Sequence, residues 1–389
     1  MTEDMEKRQV ATSLPVTGGT VPGRPAPPPP PPSRPRPRPR RWLSIPVAII
    51  AVLVLAVLIS SRVDLNYYAV QPGTAQSVQQ FITVPADRAH HVAHPVKLTD
   101  VELSRVSALT YLYFKLDSNT DLQPLQSVTG GTPPSELDAQ GNLEMSQAEA
   151  QAKAAALRRL GYVVPATPAG AVLFAVWNGT PAFGVLHVGD VITAVDGAPT
   201  VTADALTTAL KKYHSGQTVN LSVEKGGAGK PQSVPITLQA STVNLGDGHS
   251  AHVTLGIEPV DQVDYSFPFP VTINVTNIGG PSAGLAMTLG VIDTLSGGNL
   301  TGNRTVAATG TMDDHGNVGD VGGVPQKTVA VERAGATIFL VPPQEYKAAL
   351  AKKTPGLQIF AVSTLNQALH VLATHGGHAP APALTSASG

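Results

Sequence analysis

Between Arg41 and Arg62 the chain carries no charged residue. The residues in between, 42–61, are mostly apolar. At about 1.5 Å per residue, a helix of that length would span about 30 Å, the thickness of the hydrocarbon core of a bilayer. A cleaved signal peptide is the alternative, but the leader before this run is long for one, and no small-x-small cleavage site follows Ile59. The sequence therefore predicts a retained transmembrane helix over residues 42–61.

The residues before this helix are rich in Pro and Arg. Each Pro removes a backbone donor and fixes φ, so residues 1–41 are predicted to form an extended, disordered tail. Arg and Lys beside a span favour the cytoplasmic side of the membrane. The chain is therefore predicted to be a single-pass protein of the cell membrane, with a cytoplasmic N-terminus and an extracytoplasmic body.

The net charge of −1 hides an uneven distribution of charge. Residues 1–41 hold 8 basic and 3 acidic residues, so the remaining 18 basic and 24 acidic residues give the body a charge of −6. Because a negative body does not gather phosphate backbones, nucleic acid is not expected as a partner. The absence of Cys excludes disulfides, Cys-ligated zinc, iron–sulfur clusters and a thiol nucleophile.

Residues 62–161 carry β-type segments followed by a helix rich in Ala, Glu and Gln. Ser146, with Glu149 three residues later, is typical of a capping box that opens this helix. Three histidines lie at positions 90, 91 and 94, between two prolines that disfavour a helix presenting them together. We expect a solvated loop there, and no metal site is predicted.

Residues 162–240 are predicted to form several short strands and one helix. The run from Pro181 to Gly197 resembles the PDZ domains of bacterial proteases. This resemblance implies a groove that accepts a peptide as an added strand, for substrate capture or regulation. It also implies that the peptide carboxylate is held by four consecutive residues, Gly170, Ala171, Val172 and Leu173. The second Gly of the usual carboxylate loop is missing, and a purely structural spacer is the alternative.

A second motif, Gly280-Pro281-Ser282-Ala283-Gly284, joins a β-branched strand to the apolar stretch 285–295. Pro281 suits a first helical turn, so the Ser282 hydroxyl would lie where free N–H groups converge and could stabilise an oxyanion. The motif also fits the G-x-S-x-G pattern of α/β-hydrolase esterases. Pro directly before the Ser, and no suitable Asp and His after it, make an esterase the less favoured alternative.

Lys327 is the predicted partner of Ser282. Gly322-Gly323 precedes a helix that Pro325 opens and that runs to Arg333, which places Lys327 in its first turn. A cation is unfavourable there against the helix dipole, and burial would lower the pKa of the amine further. A neutral amine could then take the proton of Ser282.

Taken together, these motifs resemble the proteolytic domain of the Lon family of Ser–Lys proteases over residues 250–375. Gly280–Gly284 matches the family's G-P-S-A-G motif. Gly322–Lys327 matches the family's G-G-[hydrophobic]-x-x-K motif, and the number of residues between Ser282 and Lys327 is the one expected for the family. One departure is Gly279, where many ATP-dependent members carry an acidic residue.

The Lon resemblance also implies roles for individual residues and a fold of the α/β or α+β class. Ser282 is implied as nucleophile and Lys327 as general base, with Thr309 orienting the amine. Gly280, Pro281 and Ala283 are implied to support the nucleophile. Together with the predicted anchor and PDZ domain, the pattern resembles the membrane-anchored bacterial Lon-like proteases.

The expected function is therefore that of a membrane-anchored serine endopeptidase acting on unfolded or tethered envelope proteins. The sequence contains no G-x-x-x-x-G-K-[ST], so cleavage is predicted to be independent of ATP, and no cofactor is expected. Because Lon-type domains often assemble into rings, the resemblance also implies that this chain forms a homo-oligomer. A non-catalytic, membrane-anchored PDZ scaffold is the main alternative, and residues 376–389 are predicted to form a flexible tail.

Overall fold

The computed structural model describes residues 41–129, 132, 136–244, 250–276 and 278–381. The predicted tail up to residue 40, and residues 382–389 of the predicted C-terminal tail, lie outside these ranges. The chain divides into two units, Met1–Val54 and Leu55–Gly389.

The first helix, α1, runs from Arg41 to Arg62. Within the described part of the chain, no helix is both long enough and apolar enough to cross a bilayer. This finding contradicts the transmembrane helix predicted over residues 42–61. It also contradicts the predicted localisation in the cell membrane with an extracytoplasmic body.

The remaining elements of the described residues are short, apart from one long helix. The other helices are α2 (Ala108–Leu116), α3 (Leu125–Thr129), α4 (Leu137–Arg159), α5 (Ala203–Leu210), α6 (Gly284–Leu295), α7 (Val324–Arg333), α8 (Tyr346–Leu350) and α9 (Leu365–Thr374). The strands are β1 (Asp64–Ser77), β2 (Ile82–Thr83), β3 (Lys97–Ser107), β4 (Asp121–Pro124), β5 (Ala166–Val176), β6 (Val191–Val195), β7 (Ala198–Pro199), β8 (Thr218–Glu224), β9 (Gln232–Thr237), β10 (Ser241–Asn244), β11 (Ser250–Val253), β12 (Ile257–Tyr265), β13 (Thr272–Ile273), β14 (Val306–Ala308), β15 (Thr311–Met312), β16 (Val318–Gly319), β17 (Ile338–Val341) and β18 (Gln358–Ala361).

A six-stranded mixed sheet has the order β18-β17-β14-β3-β1-β4. Strands β18, β17, β14 and β3 run parallel to one another, whereas β1 pairs antiparallel with both β3 and β4. Three of its strands come from the region 62–161 and three from the C-terminal third of the chain. The prediction of a mixed α/β fold is confirmed, and the two regions form one sheet.

The long helix α4 packs against α6 in the largest hydrophobic core. Buried Ala148, Ala152 and Ala155 on α4 allow close approach to the apolar α6, which contributes buried Leu285 and Leu289. The helix begins at Leu137, so the capping box predicted at Ser146 is wrong. The Glu149 carboxylate accepts a hydrogen bond from the distant Val275 amide at 2.9 Å instead.

A second sheet, with the order β12-β5-β6-β8-β9 and β7 paired to β6, lies between α4 and β13 in the sequence. It has a core of its own that includes Leu173, Ile192 and Leu206. The two ends of this segment are adjacent, because the Ser266 amide donates to the Pro165 carbonyl at 3.0 Å. We call residues 166–265 the insertion, since the mixed sheet takes strands from both sides of it.

Candidate active site

Ser282 lies in a tight turn directly before α6. Gly280 adopts a left-handed φ of 89°, and the Gly284 amide donates to the Pro281 carbonyl at 3.2 Å. Helix α6 begins at Gly284 with Ala283 as its N-cap, so Pro281 precedes the first helical turn that the sequence predicted for it. The half-buried Ser282 side chain is thus held at the positive end of a buried helix.

The backbone around Ser282 offers free donors. In the described part of the chain, the amides of Ser282 and Ala283 have no acceptor within hydrogen-bond distance. The turn is fixed at its far side, because the Leu285 amide donates to the Gly310 carbonyl at 3.0 Å. A Cβ on Gly284 would lie 2.6 Å from the Met312 amide nitrogen, so this approach requires glycine. Free amides beside a nucleophile can bind an oxyanion.

Lys327 lies in the first turn of α7, as predicted. The helix follows Gly323, whose φ is 67°, and the Lys327 amide donates to the Gly323 carbonyl at 2.9 Å. The Lys327 side chain is 2% exposed. Burial lowers the pKa of its amine to about 8, while the negative charges of Asp100 and Glu345 act in the opposite direction.

Thr309 connects Lys327 to the Ser282 turn. The Lys327 Nζ donates to Thr309 Oγ1 at 3.3 Å, and Thr309 Oγ1 donates to the Ser282 carbonyl at 3.2 Å. The Gly310 amide donates to the same carbonyl at 3.0 Å. Among the described residues, Nζ is therefore bonded to Thr309 rather than to Ser282 Oγ. The structure brings the three predicted residues together, with Thr309 between the other two.

Ser282 and Lys327 open into a cleft of about 930 Å³. A volume of this size accommodates a segment of several residues. The opposite wall comes from the region 62–161 and includes Asp100, Arg105 and Glu144. Burial raises the pKa of the Glu144 carboxyl. The sequence did not predict this wall. Its residues lie more than a hundred positions before Ser282 and Lys327, and no local motif connects the two regions.

Helix α4 touches the Ser282 loop through two glycines. The Gly280 amide donates to the Gly141 carbonyl at 3.0 Å. A Cβ on Gly279 would lie 3.2 Å from the Gly141 Cα, a closer distance than most side chains tolerate. This contact gives a steric reason for Gly at position 279, where the sequence departs from the pattern of many Lon proteins.

The four residues predicted to bind a peptide carboxylate lie on β5, where the strand has neighbours on both edges. Antiparallel to them on one edge runs β12, and on the other edge β6 pairs with Ala171 and Val172. Their role in peptide binding stays a prediction. Within the described residues, no group of three or more His, Asp or Glu side chains is arranged to hold a metal ion.

Two family models match parts of this chain. Residues 269–374 match the Lon protease (S16) C-terminal proteolytic domain, and residues 145–238 match the PDZ domain. The chain therefore contains a Lon-type proteolytic domain and a PDZ domain, which confirms both resemblances.

Individual proteins are similar to parts of this chain. Lon protease 2 of Bacillus subtilis is 33% identical over 117 residues, which cover 30% of this chain and 20% of that protein. Lon protease of Clostridioides difficile is 46% identical over 63 residues, or 16% of this chain and 8% of that protein. This chain thus matches a fifth or less of the length of these relatives. The crystal structure of the PDZ domain of the SdrC-like protein from Listeria monocytogenes is 28% identical, covering 24% of this chain and 90% of that one, with a TM-score of 0.20.

Proposed function

We propose that this chain is a serine endopeptidase in which Ser282 is the nucleophile and Lys327 the general base. The observation that carries the proposal is the buried Lys327 amine, which has a pKa of about 8 and is joined through Thr309 to the turn bearing Ser282. The match of residues 269–374 to the Lon proteolytic domain supports the same reaction class.

In the proposed mechanism the neutral Lys327 Nζ moves from Thr309 Oγ1 to accept the proton of Ser282 Oγ. The Ser282 oxygen attacks the peptide carbonyl carbon, and the amides of Ser282 and Ala283 donate to the oxyanion that forms. The Lys327 ammonium then protonates the leaving amine. A water molecule, deprotonated by the same amine, hydrolyses the acyl-enzyme. Hydrogen bonds between catalytic groups are often looser without substrate, and the Thr309 contact of Nζ is consistent with such a resting state.

The cleavage itself is proposed to need no ATP. The sequence has no phosphate-binding G-x-x-x-x-G-K-[ST], and its nearest approach, Gly226 to Lys230, is followed by Pro231. Without a nucleotide-driven unfolding step, a substrate has to reach the cleft already extended. We therefore propose unfolded or flexible polypeptide segments as the substrate class.

The test compares the full chain with Ser282→Ala and Lys327→Ala on labelled, unfolded casein, with and without ATP. Matched controls are Ser266→Ala and Lys347→Ala, which change exposed side chains outside the cleft. We expect both site variants to lose at least about 10³-fold in kcat/KM, both controls to keep full activity, and ATP to have no effect. Equal activity in all five proteins would refute the assigned roles.

A covalent probe distinguishes the peptidase from a non-catalytic PDZ scaffold. A fluorophosphonate should label the wild-type chain at about pH 8, and the label should be absent from Ser282→Ala. Absence of labelling at every pH from about 7 to 10 would favour the scaffold.

A further inference from the structure

Helix α4 brings one charged side chain, that of Glu144, close to the loop that bears Ser282. Glu144 lies on the same face of α4 as Leu137 and Gly141, because residues three or four positions apart share one face of a helix. All three residues line the cleft together with Ser282. A Cβ on Gly280 would lie 3.7 Å from the Glu144 Oε2. The carboxylate therefore lies beside the backbone of the Ser282 turn.

In the part of the chain that the structure describes, the Glu144 carboxylate has no partner. Its side chain is half-buried. Burial raises the pKa of the carboxyl, and neither a hydrogen bond nor a neighbouring cation acts against this effect. A carboxylate withdrawn from water without a compensating partner costs free energy. A cation that enters the cleft would offset that cost, because it supplies both the opposite charge and the missing donors.

The other acidic side chains that line the cleft, among the described residues, are bonded elsewhere or exposed to water. The Asp100 carboxylate accepts hydrogen bonds from the Thr74 amide at 2.6 Å and from the Thr74 hydroxyl at 3.0 Å. Asp138 is exposed, so water screens its charge. Arg105 on the opposite wall is exposed as well, and it does not act on the Glu144 carboxyl. Glu144 is therefore the acidic group of the cleft that a bound cation would stabilise most.

We propose that Glu144 binds a Lys or Arg side chain of the substrate close to the peptide bond that Ser282 cleaves. This inference rests on the peptidase function proposed above, and it narrows the substrate class to unfolded segments that carry a basic residue near the cleaved bond. An ammonium or guanidinium group gives the carboxylate the donors that it lacks. An acidic substrate residue at the same place brings two carboxylates together, which weakens its binding.

The test measures kcat/KM of the full chain on three quenched fluorescent nonapeptides that differ only in their central residue, which is Lys, Gln or Glu. We expect wild type to favour the Lys peptide over the Glu peptide at least about tenfold, with the Gln peptide between them. Glu144→Gln should remove this preference, and Glu144→Lys should reverse it. The controls Glu102→Gln and Glu102→Lys make the same changes of charge at an exposed position of β3 that does not line the cleft, and they should keep the wild-type order.

Binding gives a second measurement that does not depend on cleavage. In Ser282→Ala, the Lys peptide labelled at one end should bind at least about tenfold more tightly than the Glu peptide, as measured by fluorescence anisotropy. Addition of Glu144→Gln should abolish the difference. Equal affinities for the two peptides, or a preference that survives Glu144→Gln, would overturn the role of Glu144 whatever the peptidase activity. A binding preference that disappears with Glu144→Gln, in a chain that cleaves none of the peptides, would support this role and contradict only the proposed peptidase function.

Discussion

Burial of the Lys327 amine brings its pKa into the range in which an amine can act as a base. An exposed lysine with a pKa near 10.4 is almost entirely protonated at pH 8, and so it cannot act as a base. Removal from water lowers the pKa of Lys327 to about 8, and about half of the amines are then neutral at that pH. The Thr309 hydroxyl accepts a hydrogen bond from the ammonium, which favours the charged form.

We predict that kcat/KM on a short peptide rises with pH and is half-maximal near pH 8. The reason is that the base of the free enzyme has to be unprotonated. Thr309→Ser keeps the hydroxyl and should keep this midpoint. Thr309→Val removes it, so the charged amine loses an acceptor and the midpoint should move to lower pH. A rate that does not change between about pH 6 and pH 10 would contradict the role of Lys327.

Among the elements, α4 supplies the wall of the cleft, and its fit to the Ser282 loop depends on two glycines in contact. Gly141 lies one turn from the start of the helix, and Gly279 lies three residues before Ser282. At this crossing no side chain separates the two backbones. The position of Ser282, the proposed nucleophile, is therefore expected to depend partly on a helix far away in the sequence.

We predict that Gly279→Ala and Gly141→Ala each lower kcat at least about tenfold, since the added Cβ moves the Ser282 loop. The loss in the free energy of unfolding should be modest, about 1–3 kcal/mol for an overpacked contact. Ser146→Ala, at an exposed position of the same helix, serves as the control. Wild-type kinetics for both glycine variants, measured with a fluorogenic peptide, would show that the contact does not position Ser282.

Local signals were sufficient for the helix that carries Lys327, whereas α6 begins at Gly284, after the Pro281 that was predicted in its first turn. The Gly and Pro residues around Lys327 predicted the bounds of α7 to within one residue. The start of α4 was misjudged, because Glu149 binds the distant Val275 amide instead of closing a capping box. The pairing of β12 with β5 and of β3 with β14 depends on long-range register, which short patterns do not encode.

At the scale of the whole molecule, the insertion has a core of its own, and several contacts join it to the core that holds α4 and α6, on which Tyr265 of the insertion packs. One of these contacts involves Glu136, at the start of α4. Its carboxylate lies 3.1 Å from the His187 Nδ1 and accepts a hydrogen bond from the Val188 amide at 3.2 Å. The two ends of the insertion are held next to each other by the hydrogen bond that the Ser266 amide donates to the Pro165 carbonyl.

We predict that residues 166–265 can be replaced by a short Gly-Ser linker without loss of the catalytic fold. Because the two ends are adjacent, the linker bridges them without strain, and kcat on a short peptide should stay within about twofold of the intact chain. The melting temperature and peptide cleavage of the excised form report the outcome, with Ser282→Ala in the same background as control. Joint loss of folding and cleavage would mean that the insertion is part of the catalytic fold.

The order of the two halves has a consequence for synthesis on the ribosome. Helix α4 is made before the insertion, and Ser282 and Lys327 are made after it. At about 5–20 residues per second, translation of residues 166–265 takes about 5–20 s. During that time the buried face of α4 has no α6 to pack against, and the cleft lacks Ser282 and Lys327. The proposed catalytic pair is therefore completed last, after the PDZ domain has emerged and can fold.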